Sequence, residues 1–187
     1  MDKLAAGKLW DKGGYLNRTV ERFTVGDDRS YDMILLKADA VASMAHADML
    51  AAIGVLQAAE LTVLREALSD AIKEINVGQF RIGDDEEDGH TALERFLTQR
   101  TGNAGKRIHT GRSRNDQVIA ATRLYAREWL LNFRGEVIEL AADLLDFASS
   151  WSRTPMPGRT HMQPAMPSTV GFWAVAFAEE LIDDADL

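Results

Sequence analysis

A cluster of cations stands beside a glycine-bounded turn in the stretch GKRIHTGRSRNDQV. Its positively charged side chains are Lys106, Arg107, Arg112 and Arg114. A helix beginning here would add free backbone amides and the positive end of its dipole, and arginine forks onto carboxylates. The sequence therefore predicts a site for a small polyanion such as a dicarboxylate. The alternative is an exposed basic patch that the nearby acidic run neutralises.

Histidine and threonine stand side by side at three places in the chain. The pairs are His90-Thr91, His109-Thr110 and Thr160-His161. Histidine titrates near neutral pH, so it can accept or donate a proton there, and a neighbouring hydroxyl can hydrogen-bond an anion. The pairs predict proton-transfer chemistry on a carboxylate. The alternative is that each histidine only caps a helix or braces its loop. For His46, on a predicted helix with alanine neighbours, we expect a structural role.

Composition and motifs disfavour several other kinds of function. The net charge of −8 argues against broad adhesion to nucleic acid or to an anionic membrane. There is no cysteine for disulfides, thiolate metal sites or nucleophilic catalysis. The acidic run DDEEDG fails the calcium-loop pattern, because Arg95 stands where that loop, counted from Asp84, needs a bidentate glutamate.

Motifs for other ligands do not occur either. The chain has no phosphate-binding glycine loop, no H-E-x-x-H zinc motif and no G-x-S-x-G elbow. No apolar run approaches the length of a membrane span. We therefore expect a cytoplasmic protein, and metal-dependent, nucleotide-binding and serine-hydrolase functions lose support.

Apolar residues at helical spacing organise most of the chain. They predict a helix from Asp28 to Ile53 and a second helix from about Ala59 to Ile75. A capping box of Thr91 and Glu94 is expected to open a short helix that ends before Gly102. No segment alternates with the period of a strand. The sequence thus predicts an all-α protein.

A long helix and a proline-rich segment follow the basic turn. Ser113 and Asp116 repeat the capping-box pattern and begin a helix that continues without proline to about Ser150. The four prolines all lie in TPMPGRTHMQPAMPS, which predicts a stiff, non-helical connection. A last apolar helix reaches Leu187 with no glycine or proline stop, which is typical of a fragment that ends within a helix.

Apolar side chains cover more than one stripe in the second half of the long helix. They are Leu130, Leu131, Phe133, Val137, Ile138, Leu140, Leu144, Leu145, Phe147 and Trp151. Burial on several sides requires neighbours, and a homo-oligomeric helix bundle supplies them most simply. The alternative is a monomer with an unusually apolar helix.

Three ordered motifs resemble the argininosuccinate lyase family of the fumarase and aspartase superfamily. GKRIHTGRSRNDQV is similar to its first signature, EEDGHTALE to its E-D-x-H segment, and MPGRTHMQPAMPS to its G-x-T-H-x-Q signature; KLWDKGG is similar to its N-terminal start. The resemblance implies an N-terminal helical domain (residues 1–112) and the first part of a long central helix bundle (residues 113–187). It also implies reversible cleavage of argininosuccinate to arginine and fumarate, in a homotetramer that uses no cofactor.

The resemblance implies roles for individual residues. The positions that match the family's substrate-binding motifs are His90, Ser113, Arg114, Asn115, Thr160 and Gln163, and Asp28 stands where some relatives place a substrate-contacting serine. His161 occupies the place of the acid/base histidine, as the base itself or as the group that activates a serine elsewhere. Donors at these positions would stabilise the doubly charged carbanion that forms when the proton is removed.

The chain departs from the family pattern in three ways. It does not contain the downstream G-S-S-x-M-P-x-K-x-N loop that carries the family's catalytic serine, so we expect the 187-residue chain to be inactive alone. Gly89 replaces a branched apolar residue, and Arg159 an aromatic one; both changes are expected to loosen a loop or alter affinity. A sister enzyme, such as adenylosuccinate lyase or aspartase, and a non-catalytic helical oligomer are the alternative functions.

Overall fold

The computed structural model is mainly helical and describes residues 19, 20, 23, 26–83 and 86–187. The KLWDKGG stretch and residues 84 and 85 of the acidic run lie outside these ranges. The chain divides into two compact units, one up to Tyr125 and one from Ala126 to Leu187. A domain boundary at residues 112 and 113 stays a prediction. None of the described helices has the length and apolar composition needed to cross a bilayer.

Four helices and the start of a fifth build the described part of the first unit. They are α1 (Asp28–Ala52), α2 (Ala58–Asn76), α3 (Gly89–Thr101), α4 (Asn103–Arg107) and the beginning of α5 (Arg114–Ser150). Helix α1 packs against α2 and α3, and α3 also contacts α2 and α4. The predicted extents of α1, α2 and α5 are confirmed to within a residue or so.

Leucine and alanine form the core of the first unit. Its largest buried side chains include Leu36, Leu50, Leu64, Leu68 and Leu97, with Ala40, Ala47, Ala67 and Ala71 between them. On α1 the buried positions recur every three or four residues, so they form one stripe that faces the other helices. Asp39 and Ser43 also belong to this stripe and place polar groups inside the core.

Helices α1 and α2 end where the sequence predicts them to end. Gly54, just past α1, has a φ of +79°, and its amide donates to the carbonyl of Ala51 at 3.0 Å. Gly78, just past α2, has a φ of +67°. Glycine adopts this left-handed conformation without the clash of a Cβ, so it stops a helix at low cost.

The start of α3 differs from the prediction. Asp88 is its N-cap, and the Asp88 Oδ1 accepts from the amide of Thr91 at 2.8 Å and from its hydroxyl at 2.7 Å. The predicted Thr91–Glu94 capping box is therefore wrong, because a carboxylate three residues upstream already satisfies that amide. At the start of α5 one of the two bonds of the predicted box is present, since the Asp116 Oδ2 accepts from the amide of Ser113 at 2.7 Å and also from its hydroxyl at 3.1 Å.

The second unit contains a β-hairpin between two helices. Strands β1 (Pro155–Thr160) and β2 (Gln163–Thr169) pair antiparallel and are followed by α6 (Val170–Asp186). The proline-rich segment is non-helical, as predicted, but its strands were not predicted. In a two-stranded sheet each strand has a free edge, where a proline without an N–H sacrifices no ladder hydrogen bond.

The base of the hairpin brings the end of α5 close to the start of α6. The amide of Gly171 donates to the carbonyl of Trp151 at 3.1 Å, and a Cβ on Gly171 would lie 2.4 Å from the carbonyl oxygen of Ala148. At the other end of α6, the Arg134 Nε donates to the carbonyl of Ala185 at 2.6 Å. Helix α6 therefore runs antiparallel to the second part of α5.

The close approach at Gly171 generates a stability prediction. We expect Gly171→Ala to lower the free energy of unfolding by about 1–3 kcal/mol, because the new methyl overlaps backbone atoms that cannot move aside cheaply. The matched control is Gly135→Ala within α5, where a Cβ meets nothing within 4 Å. That change should raise stability by about 0.5–1 kcal/mol. Urea unfolding followed by circular dichroism measures both, and equal effects would refute the predicted close packing.

Candidate active site

The basic turn between α4 and α5 is tied to α1 and α2. The Arg107 guanidinium pairs with Glu60 and donates to the carbonyl of Val55 at 3.1 Å. The Arg112 Nη2 donates to the Ser43 Oγ at 2.9 Å. These contacts hold the cations of the turn at defined positions against the helices of the first unit.

His46 of α1 also supports this turn. Its Nε2 lies 3.0 Å from the carbonyl oxygen of Thr110, to which it can donate only as N–H. Burial lowers the pKa of His46, and the charge of Arg112 lowers it further. A neutral imidazole with the proton on Nε2 fits both observations. This contact agrees with the structural role expected for His46.

Arg114, the first residue of α5, is paired with the acidic run. Its Nη1 lies 2.7 Å from the Asp88 Oδ2 and 3.6 Å from the Glu87 Oε2, and its Nη2 donates to the Thr91 Oγ1 at 3.2 Å. The acidic run therefore neutralises Arg114, as in the alternative of an exposed basic patch. The pairing also fixes the guanidinium at the N-terminus of α3, where Asp88 and Thr91 both contact it.

A buried carboxylate lies beneath His90. Asp39 is only 1% exposed, and its Oδ2 lies 2.8 Å from the Nδ1 of His90. The other oxygen, Oδ1, has two longer contacts of 3.5 Å, from the Ser43 Oγ and the Gln117 Nε2. Residues of α1, α3 and α5 thus meet at one carboxylate.

The surroundings of His90 favour its charged form. Burial alone would lower the pKa of His90, but the hydrogen bond and charge of Asp39, together with Asp88 and Asp32, raise it overall. His109 behaves in the opposite way. Burial lowers the pKa of His109, although Glu94 at 3.2 Å opposes the effect. Of these two histidines, His90 is the one whose surroundings raise its pKa and so favour the imidazolium.

The loop before α3 is anchored at several points. The buried Glu86 carboxylate accepts from the amide of Gly83 at 2.6 Å and pairs with Arg95. The Asp32 Oδ2 accepts from the amide of Gly89 at 2.8 Å. A Cβ on Gly89 would lie 3.1 Å from the Asp32 Cβ, so neighbouring atoms fill the space that a larger residue would occupy.

The tip of the hairpin carries the second group of predicted site residues. His161 and Met162 form its two-residue turn, and both have positive φ, of 48° and 63°. The Thr160 Oγ1 lies 2.9 Å from the His161 Nδ1, and Gln163 pairs across from Thr160. A left-handed backbone at two adjacent non-glycine residues is strained and is typical of functional sites. The turn presents the imidazole at an exposed position.

The predicted site residues fall into one set in each unit. His90, Ser113, Arg114 and Asn115 lie in the first unit at the starts of α3 and α5, and Thr160, His161 and Gln163 lie at the hairpin tip. Asp28 is the exposed first residue of α1. Within the described ranges, no group of three or more histidine or acidic side chains is arranged to hold a metal ion.

Four residues that support the first set are absent from the expectations drawn from the sequence. Asp39 and Ser43 interrupt the apolar stripe of α1 four residues apart, which is a readable signal of a buried polar contact. Gln117 offers no such signal, because its burial depends on α1 lying over the first turn of α5. Asp88 has a local signal, because aspartate is a common N-cap residue and stands three positions before Thr91.

Comparison with known proteins identifies the family of this chain. The family model described as "Lyase" matches residues 16–186, so the chain belongs to this lyase family. Argininosuccinate lyase from Sorangium cellulosum is 47% identical over 180 residues, which are 96% of this chain and 42% of the relative. Argininosuccinate lyase from Thermotoga neapolitana is 41% identical over 96% of this chain and 45% of the relative. The chain therefore spans less than half the length of these relatives.

Solved structures show the same fold at lower identity. Fumarate lyase:delta crystallin from Brucella melitensis has a TM-score of 0.71 at 21% identity, over 90% of this chain and 44% of that one. Beta-carboxy-cis,cis-muconate cycloisomerase from Acinetobacter calcoaceticus has a TM-score of 0.68 at 23% identity, over 92% of this chain and 39% of that one. The predicted fumarase/aspartase-like fold is confirmed.

The strained hairpin turn generates a second prediction. We expect Met162→Asn to raise the free energy of unfolding by about 1 kcal/mol, because asparagine tolerates the left-handed region better than methionine does. The Met162 side chain is 91% exposed, so little packing is lost. Met166→Asn is the control, since Met166 is exposed on β2 without a positive φ. Chemical unfolding should separate the two variants, and a loss of stability in Met162→Asn would contradict the assignment of strain.

Proposed function

We propose that the full-length protein is an argininosuccinate lyase, a carbon–nitrogen lyase that reversibly cleaves argininosuccinate to arginine and fumarate in arginine biosynthesis. The observation that carries this proposal is the 47% identity, over nearly the whole chain, to an enzyme of that name. The cytoplasmic location suggested by the cysteine-free composition is part of the proposal. The proposed chemistry uses side chains alone, without metal or cofactor.

The first set of residues suits the recognition of substrate carboxylates. The surroundings of His90 raise its pKa, and Arg114, at the N-terminus of α5, contacts Asp88 and Thr91 of the same segment. Ser113 and Asn115 flank Arg114 at this helix end, where free amides and the helix dipole attract anions. We assign these four residues, with Asp28 as a further candidate, to binding of the succinyl portion.

The second set suits proton transfer. If the His161 Nδ1 donates its proton to the Thr160 Oγ1, 2.9 Å away, the Nε2 is left as an acceptor. In the proposed reaction a base removes the proton from the carbon next to a carboxylate, and the carbon–nitrogen bond then breaks. The electron pair of the C–H bond becomes the new carbon–carbon double bond of fumarate, and the guanidinium nitrogen leaves with arginine. We assign His161 to this base or to the activation of one, and Thr160 and Gln163 to substrate binding.

The exposed apolar surface of the second unit supports a homotetramer. In the second unit, the large apolar side chains that are 42–59% exposed along α5 and at the residue just past it are Trp129, Leu130, Leu131, Phe133, Ile138, Leu140, Leu145, Phe147 and Trp151. So many exposed large apolar side chains on one helix are typical of an interface. Other copies of the same chain, packed as a helix bundle, are the proposed occupants. In such an assembly the two sets of site residues need not come from the same chain.

The proposed reaction predicts a specific kinetic result. The full-length enzyme should release fumarate from argininosuccinate, and His161→Asn should lower kcat at least about 100-fold, because proton transfer in the transition state is lost. Met166→Leu on the same hairpin is the control and should retain activity. Ultraviolet absorbance of fumarate measures the rates, and the 187-residue chain alone should show none.

Two outcomes would reject this assignment. Turnover of adenylosuccinate or aspartate but not argininosuccinate would identify a sister lyase. A folded full-length protein that turns over none of the three would favour a non-catalytic helical oligomer.

The proposed assembly predicts that a charge on the apolar face of α5 disrupts association. Leu130→Glu in the full-length protein should shift the tetramer toward smaller species, because burying an unpaired carboxylate is costly. Asn132→Glu is the control, since it adds the same charge at an exposed polar position of the same helix. Sedimentation velocity reports the masses. A wild-type protein that sediments as a monomer would exclude the proposed tetramer.

A further inference from the structure

Helix α1 carries a carboxylate, that of Asp39, within its buried apolar stripe. Asp39 is 1% exposed and shares its stripe of α1 with Leu36, Ala40 and Ala47. Removing a carboxylate from water is costly unless it is paired and hydrogen-bonded. Replacement of such a group by an apolar residue is often neutral or stabilising, so core stability alone does not account for it.

The contacts of Asp39 are unequal. The 2.8 Å contact to the His90 Nδ1 is a short, well-formed hydrogen bond, whereas Ser43 and Gln117 lie 3.5 Å from the other oxygen. A carboxylate accepts only, so the Nδ1 must carry the proton. The His90 Nε2 is then the nitrogen left for another partner. A carboxylate that fixes the tautomer and orientation of a histidine in this way acts through that histidine.

Charged groups from several elements face this pair. Besides Asp39 itself, they are Asp32 on α1, Asp88 at the start of α3, and His109 and Arg112 in the basic turn. Asp39 is the one of the three carboxylates whose hydrogen bond to His90 raises the pKa of the imidazole. It is also the most completely buried, so solvent screens its charge least.

We propose that Asp39 is a positioning residue, which holds His90 protonated on Nδ1 and oriented so that its Nε2 donates to a carboxylate oxygen of the substrate. This inference rests on the proposed lyase function and adds a residue that lies outside the matched signature motifs. Asp39 itself does not touch the substrate. Its effect reaches the substrate through the charge and orientation of His90.

The test is Asp39→Asn in the full-length enzyme. Asparagine keeps the shape of the side chain but removes the charge, so KM for argininosuccinate should rise about tenfold with a much smaller change in kcat. The charge of Asp39 raises the pKa of His90, so its removal lowers that pKa. Because binding needs charged His90, kcat/KM should then fall off at a lower pH on the alkaline side than in the wild type. An unchanged KM and pH profile in a folded Asp39→Asn enzyme would overturn the proposal.

Asp48→Asn provides the matched control. Asp48 lies on the same helix α1, but its carboxylate is 41% exposed and pairs with Arg65 at 2.9 Å on the surface. The same chemical change there should leave KM and the pH profile as in the wild type. An equal effect in both variants would indicate a general effect of charge on α1 and would also overturn the proposal.

His90 variants keep the proposal testable if Asp39→Asn does not fold. His90→Asn can still donate to Asp39 from the Nδ1 position but has nothing at the Nε2 position, so KM should rise at least tenfold. Adding Asp39→Asn to that variant should raise KM no further, because the two residues act as one unit. A His90→Asn enzyme with wild-type KM would show that His90 serves only as a counter-group for Asp39, and would reject the inference.

Different results would reject the proposed lyase function and the proposed positioning role of Asp39. If the wild-type full-length enzyme releases no fumarate from argininosuccinate, the proposed function fails. If the wild-type enzyme is active and the Asp39 and His90 variants bind substrate normally, only the positioning role fails.

Discussion

The buried carboxylate of Asp39 is the constraint on which the arrangement of the first unit depends. A charge in a core of leucine and alanine is tolerable only with partners, and those partners come from separate elements. His90 comes from the start of α3 and Gln117 from the first turns of α5, while Ser43 joins Asp39 to Arg112 of the basic turn. Segments distant in sequence are thereby drawn to one point on α1.

This constraint connects the core to the surface where chemistry is proposed. His90 has one nitrogen on Asp39, and the next residue, Thr91, accepts from Arg114. Asp88 caps α3 and also pairs with Arg114, so a single carboxylate helps define both a helix end and the position of a cation. The same hydrogen bonds therefore stabilise this unit and position its predicted site residues.

In the second unit, restricted backbone conformations position the predicted site residues. Prolines stiffen both strands of the hairpin, and its register places Thr160 opposite Gln163. The chain must then turn within two residues, which forces His161 and Met162 into the left-handed region. The proline content predicts a rigid segment. It does not predict the strands, because proline weakens every strand signal that depends on propensity or alternation.

Much of the fold was predictable because it is local. Apolar spacing, glycine stops and the Ser113–Asp116 box each depend on residues within a few positions of one another, and the motifs that mark the family are contiguous. These features of the sequence by itself determined the helices, their order and the lyase family. The tertiary structure alone decided that Asp39 meets His90, 51 residues away, and that Glu87 and Asp88 pair with Arg114. Such contacts depend on how helices pack, and no local periodicity specifies which buried polar groups will then lie within hydrogen-bonding distance.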